Sequence, residues 1–483
     1  MMVVSDVYIV TDLSRNYKSK IILKKMKQII KASSIAACLT FAVITTHAQS
    51  WVHAGNPGFS DSTATCVSIA VDKNSIPYVV YSDAANGGKA TVMKLIGSSW
   101  SVVGSKGFSA AGAGNTSIAI DTNGVPYVGF SDWGSSGKAT VMKYNGTAWV
   151  NVGSAGFSAN SAGDMQMALD LAGTPYVVFI EGGWGGAATV MKYSGTAWAN
   201  VGTPAFTTTP IAYVSIAVDP AGAPYIAYQD GLDGAGTVQK FYGPNWGIVG
   251  GAGFTDDRTL YTQIAIDGSG VPYLVYCAFD ATQSAMVRKF DGANWPIVGS
   301  AASPGYASQT AIALDGTGKP FVFFLSDDDS EKNNVMDYNG SWASVGSPDF
   351  SFGRISPDYM GNVRMLAVDK NSTPYICFED TARGNKATVM KYGLPEEVKS
   401  NVKTAASMSL FPNPSGGTFT VNVSSATNED VTIIITNAIG EKVKEVTTET
   451  NQQTQIGLDS PHGLYFVNAV TKTEQLNAKV LLW

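Results

Sequence analysis

The sequence predicts an all-β chain in two parts: a closed ring of seven four-stranded blades, then a small β-sandwich. Three observations predict it. Seven tryptophans, at 51, 100, 149, 198, 246, 295 and 342, recur at intervals of 47 to 49 residues. Each interval carries four short apolar runs rich in Val, Ile, Tyr and Thr, separated by Gly, Asn and Asp. After Lys403 the composition changes: Tyr and Trp become scarce while Thr, Asn and Glu rise. A period this regular denotes one supersecondary unit stacked on itself.

The second copy shows the unit in order. Its first run is Ser117-Ile118-Ala119-Ile120-Asp121, and its second is Pro126-Tyr127-Val128-Gly129-Phe130-Ser131-Asp132. Lys138-Ala139-Thr140-Val141-Met142-Lys143-Tyr144 follows, and Trp149 with Val152-Gly153 closes it. Short runs of this composition bounded by turn residues are strands. No stretch keeps apolar spacing of three and four over the length a helix needs. Four strands per unit at this period fit the blade of a β-propeller, whose sheets pack face to face around a channel.

First-strand cores begin near Ile69, Ile118, Met167, Ile216, Ile264, Ile312 and Leu366, which sets the blade number at seven. The seventh unit ends at Tyr392-Gly393 without its tryptophan strand, whereas an orphan one, Trp51-Val52-His53-Ala54-Gly55, stands at the other end. The expected propeller, residues 49–393, therefore closes by taking the N-terminal strand as the outer strand of the seventh blade. Closure removes the bare sheet edge that an open solenoid would expose.

Residues 1–48 read as a signal peptide, with Met26 as the natural start. Lys24, Lys25, Lys27 and Lys31 precede an apolar run from Ala32 to Thr46, and Thr46-His47-Ala48 supplies the small residues of a cleavage site. The run is too short to span a bilayer.

Residues 394–403 are the expected linker, and residues 404–483 form the tail. The tail contains Leu410-Phe411-Pro412-Asn413-Pro414-Ser415-Gly416-Gly417, then Ile435-Thr436-Asn437-Ala438-Ile439-Gly440. Gly463-Leu464-Tyr465-Phe466-Val467 and Lys479-Val480-Leu481-Leu482 complete it. In that order these segments resemble the C-terminal sorting domain of the type IX secretion system of Bacteroidetes. The resemblance implies a β-sandwich read by the outer-membrane exporter and removed as the cargo is released or anchored at the surface. It makes Pro412, Asn413, Pro414, Gly416, Gly440, Gly463, Tyr465 and Lys479 the sorting motif and the secretion machinery a partner. The implied route runs through the periplasm to the outer-membrane surface or the medium.

Composition agrees with an extracellular protein. Residues 1–49 carry seven basic and two acidic side chains, so without them the net charge falls from −6 to about −11. An acidic chain with no basic stripe excludes nucleic-acid binding as the expected role, since phosphate neutralisation supplies most of that affinity. The three cysteines beyond the signal, Cys66, Cys277 and Cys377, lie in separate blades and are read as small buried hydrophobes. With His47 in the signal and His462 in the tail, the propeller holds His53 alone. A Ser-His-Asp triad or a His/Cys zinc site is therefore not expected. No cofactor is expected either, and the chain reads as a monomer.

Repetition also separates scaffold from function. The aspartates at 72, 121, 170, 219, 267, 315 and 369 end every first strand before a turn and a proline, which is hairpin chemistry. The pattern lacks the Ser-x-Asp-x-Gly-x-x-Trp form of sialidase boxes. The seven repeat tryptophans serve blade packing by the same logic. Trp133 and Trp184, which do not recur, sit in the loop between second and third strands beside Asp132 and Glu181. Aromatic platforms flanked by carboxylates suit sugars. Arg258 and Arg354 lie in rim loops where they could hold an anionic ligand. Asp83, Asp132, Glu181, Asp230, Asp280, Asp327 and Glu379-Asp380 are read as a loop-bracing acid in each blade, paired with Lys89, Lys138 and Lys386. Asp327, Asp328 and Asp329 are weak calcium candidates, because their run lacks the alternate spacing and Gly of a calcium loop. The expected function is a secreted binding or adhesion module for a glycan or another extracellular macromolecule. The alternative is a polysaccharide-degrading glycosidase or lyase working through carboxylates.

Overall fold

An aspartate builds the turn after each first strand. Asp72 Oδ1 accepts the backbone N–H groups of Asn74 at 2.8 Å and Ile76 at 2.9 Å. The other six repeat aspartates accept from the residues two and four further on. A proline then opens the second strand in every copy, its φ already set.

The computed structural model describes residues 49–182, 186–231, 234–326, 331–351, 364–394, 407–425, 428–471 and 475–483. The expected signal peptide (1–48) and most of the expected linker lie outside them. The repeats form seven separate antiparallel sheets. In the second blade Ala113–Ile120, Pro126–Asp132, Lys138–Tyr144 and Trp149–Asn151 pair in sequence order. The fifth blade has three strands, Thr259–Ile266, Pro272–Ala278 and Ala285–Lys289, with an isolated bridge from Arg288 to Ile297 in place of the fourth.

The seventh blade confirms the closure. Its sheet runs from Leu366–Val368 through Pro374–Asp380 and Lys386–Gly393 to the N-terminal strand Ser50–His53 at the outside. The seven first strands adjoin one another around a central channel of about 390 Å³. The chain is thus a seven-bladed β-propeller followed by a small sandwich.

Packing lies between blades and repeats like the sequence. The Trp149 indole N–H donates to the Val103 carbonyl of the preceding blade at 2.7 Å, and its ring stacks on Phe108 at 4.1 Å. Trp100, Trp198, Trp246, Trp295 and Trp342 make the corresponding bond to Ala54, Val152, Val201, Val249 and Val298. The glycine after each such valine is part of the device. Gly104 has φ +76°, and a Cβ there would sit 3.0 Å from Trp149 Cδ1. Cys66, Cys277 and Cys377 are buried thiols, as expected.

The tail is a two-sheet sandwich. Ser407–Phe411, Thr418–Ser424 and Gln453–Gly457 form one sheet; Lys442–Glu449, Asp430–Thr436, Gly463–Val470 and Gln475–Leu482 form the other, in those orders. Alternate side chains such as Phe419, Val421, Val431, Ile433, Val467 and Val480 fill the space between, the period of two that a half-buried strand demands.

Candidate functional site

Two rims differ in chemistry. One carries the repeated aspartate turns. The other, the entry rim, is where the chain enters each first strand and where second strands turn into third strands. Backbone bonds tie these segments together: Trp133 N–H to the Gly112 carbonyl at 3.0 Å, and Phe279 N–H to the Arg258 carbonyl at 2.7 Å.

Trp133 is the most exposed aromatic side chain in the described propeller after Tyr242, at 58 %. It lies flat over a floor of glycines. A Cβ at Gly112 would come within 2.4 Å of Trp133 Cε3, and one at Gly114 within 3.1 Å of Nε1. Only a side-chain-free strand entry lets the indole rest there with one face open. Sequence pairing of Trp133 with two glycines in its own blade was the available signal.

Asp132 is placed otherwise than a sugar-binding carboxylate requires. It is 4 % exposed, and its oxygens accept from Gly134 N–H (3.0 Å), Ser135 Oγ (3.1 Å) and Thr140 Oγ1 (3.0 Å). It caps the short 3-10 turn Trp133–Ser135. Asp83 and Asp380 cap equivalent turns. Bracing by these acids is real, but its partners are backbone, hydroxyl and amide groups rather than the expected lysines; Asp380 pairs with Arg383 at 2.6 Å. The series also slips register in the fifth blade. Ala278 holds the position of Asp132 there, and Asp280 braces a turn of its own at Thr282 and Gln283. Glu181 is partly exposed and accepts from Asn160 Nδ2 at 3.1 Å. Trp184, Arg354, Asp327, Asp328 and Asp329 lie outside the described residues.

Register reveals two aromatics that the sequence reading missed. Phe279 follows Ala278 as Trp133 follows Asp132, and it is exposed; Arg258 lies over its ring at 5.3 Å. Tyr306, at the strand entry of the sixth blade, is exposed as well. Aligning the repeats on their prolines would have marked both.

Inside the rim, every one of the six first strands described in full is broken by a β-bulge at the same place, between Thr65 and Ser68 in the first blade. One residue per bulge takes the left-handed backbone: Cys66, Asn115, Asp164, Tyr213, Tyr261 and Gln309, with φ between 46° and 53°. Such strain costs about 1–3 kcal/mol per residue and is held by its surroundings. Thr116, Thr262 and Thr310 of the following blades donate to the carbonyls of Cys66, Tyr213 and Tyr261. Five different kinds of side chain stand at one repeated position in six blades, the opposite of a scaffold signature. Asp164 Oδ2 accepts from Val214 N–H at 3.2 Å, and the Tyr213 and Tyr261 rings approach to 4.9 Å. Burial pushes the Tyr213 phenol above its ordinary value and the Asp164 carboxylate adds to this, while Arg258 opposes it. Asn115 Oδ1 and Gln309 Oε1 are buried acceptors with no partner among the described residues.

The tail residues assemble at one edge. The Asn413 side chain bridges to the last strand, donating to the Lys479 carbonyl at 2.7 Å and accepting from Leu481 N–H at 3.0 Å. Both peptide bonds before Pro412 and Pro414 are cis. Lys479 lies over Phe466, and Tyr465 donates to the Pro461 carbonyl at 2.7 Å. Gly440, at φ +87°, closes a separate turn organised by Asn437.

Residues 409–482 match the family model of the secretion system C-terminal sorting domain. That domain directs type IX export to the cell surface or the extracellular space. No curated protein matches the chain. Among solved structures, a polysaccharide lyase described as an ulvan lyase, bound to -[GlcA(1-4)Rha3S]-, aligns at 10 % identity and TM-score 0.47 over 72 % of this chain and 96 % of its own. A Penicillium chrysogenum alpha-L-arabinanase with arabinobiose aligns at 12 % and 0.40, over 59 % and 94 %. A mutant Aleuria aurantia lectin with Fucalpha1-6GlcNAc aligns at 14 % and 0.39, over 61 % and 97 %.

Proposed function

We propose that this exported propeller is a glycan-binding module whose ligand lies on the entry rim. The observation that carries the reading is Trp133: a largely exposed indole, seated on Gly112 and Gly114, one residue along the strand from the bulge at Asn115. An open indole face stacks on the C–H face of a sugar ring, while convergent polar groups beside it fix orientation. Arg258 on Phe279 supplies a cation on the same rim, favouring acidic or sulfated chains over neutral ones. Asp132 has no part in contacting the sugar, because its oxygens are occupied by the turn.

A glycan array probed with the mature propeller and with Trp133→Ala tests this. Loss of signal in the variant supports the reading; equal signal, or none for either protein, removes it. Appearance of shortened or unsaturated products during incubation would assign the enzyme alternative instead.

A further inference from the structure

Arg364 occupies a position that holds Val67, Thr116, Met165, Val214, Thr262 and Thr310 in the other blades, given the shared pairing of Leu366 with Ile376 and Ile69 with Val79. Its carbonyl accepts from Ile69 N–H of the first blade at 3.0 Å. Its Nη2 donates to the Ile216 carbonyl of the fourth blade at 2.6 Å. The side chain therefore crosses the central channel from one wall to the other. A guanidinium has five N–H donors, and this bond uses one.

The surroundings offer no counter-charge. The channel side chains other than Arg364 are Ile, Ala, Val and Leu, and among the described residues no carboxylate pairs with it. Burial alone holds the guanidinium below its ordinary pKa, yet an arginine in a protein stays protonated. Arg364 is partly buried, and pairing a partly desolvated charge with an anion relieves its desolvation cost. Space is present: the channel of about 390 Å³ compares with roughly 30 Å³ for one water in the liquid.

We propose that the central channel is a binding site for one small monovalent anion, held by Arg364. The guanidinium fork supplies charge and directional donors, and the ring of first strands sets the size limit. The site is separate from the entry-rim residues, and occupancy ties the seventh blade to the fourth through Arg364.

The test uses the mature protein in a gluconate buffer of fixed ionic strength, into which acetate or bromide replaces gluconate. The wild type is expected to show a saturable rise in Tm with either small anion, as binding to the folded state requires. Arg364→Met is expected to lose that rise while gluconate has no effect on either protein. Equal responses of wild type and Arg364→Met would overturn the proposal. Should Arg364→Met fail to fold, bromide-soaked crystals of the wild type decide. An anomalous peak at roughly hydrogen-bond distance from the Arg364 guanidinium supports the site, and no peak in the channel at saturating bromide overturns it.

Discussion

The Trp51 indole N–H donates to the Val345 carbonyl at 2.6 Å across 294 residues of sequence, and the Trp51 ring stacks on Phe350 at 4.0 Å. This bond is the seventh member of a set whose other members join consecutive blades. It closes the ring with the same parts that build it. Replacing Trp51 with Ala removes a buried ring and loosens the N-terminal strand, whose pairing with Lys386–Gly393 in the seventh sheet is not covalently continuous. The expected loss is about 3–5 kcal/mol, read as a lower midpoint in urea. Trp149→Ala is expected to cost a similar amount. A near-neutral Trp51→Ala would mean that the N-terminal strand does not hold the ring shut.

Gly112→Ala tests the seat of the platform. Its added methyl falls 2.4 Å from Trp133 Cε3, so the indole must lift from the strand. Glycan affinity is expected to drop about as far as in Trp133→Ala, on the order of tenfold, a stacking contribution of about 1–1.5 kcal/mol. Trp fluorescence is expected to shift to the red of wild type. Unchanged binding would show that the ring's position is immaterial.

Asp132 and Trp133 are expected to separate stability from binding. Asp132→Ala loses a cap and leaves Thr140 Oγ1 without its buried acceptor, lowering stability by about 1–2 kcal/mol. Trp133→Ala, mostly exposed, is expected to stay within about 0.5 kcal/mol of wild type. Denaturant midpoints of the two variants check the contrast.

His53 gives a pH dependence. Burial lowers its pKa below 6.5 and the neighbouring Arg383 lowers it further, with Asp380 opposing. The unfolded chain then binds this proton more readily than the folded one. Stability carried by neutral His53 is complete above pH 6.5 and falls as pH drops below that value toward the depressed folded pKa. His53→Asn is expected to flatten that part of the stability-against-pH curve. A wild-type curve no steeper than the variant's would contradict it.

Export is expected to depend on the tail's edge. Asn413→Ala removes both bonds to Lys479 and Leu481, and it is expected to reduce the amount reaching the surface or medium. A truncation before residue 404 is expected to leave the propeller in the periplasm. Fractionation with a propeller antibody measures both.

The ring was legible because blade construction repeats. Asp72 and its copies, Trp51 and its copies, and the missing seventh tryptophan strand all appear in order along the chain. The site was less legible for the same reason. Asp132 looked available beside Trp133, but acids that cap a turn and acids that meet a ligand are the same residue type, and only hydrogen bonding separates them. Phe279 was hidden by a two-residue slip that made Asp280 look like the blade-five equivalent. The bulge residues carry no signal at all in one dimension. Cys66, Asn115 and Tyr213 share nothing but a backbone angle, which register shifts impose and side-chain identity does not announce. Arg364 stood out only once the strand pairing showed that its blade-mates are Val, Thr and Met.

The entry rim is proposed to bind a glycan through Trp133. Calorimetric titration of an acidic polysaccharide fragment into the mature propeller, the Trp133→Ala variant and the Arg258→Gln variant tests it directly. The expected result is saturable binding by wild type, roughly tenfold weaker for Trp133→Ala and more salt-sensitive in wild type than in Arg258→Gln. Equal affinity of wild type and Trp133→Ala, with both folded, would contradict it.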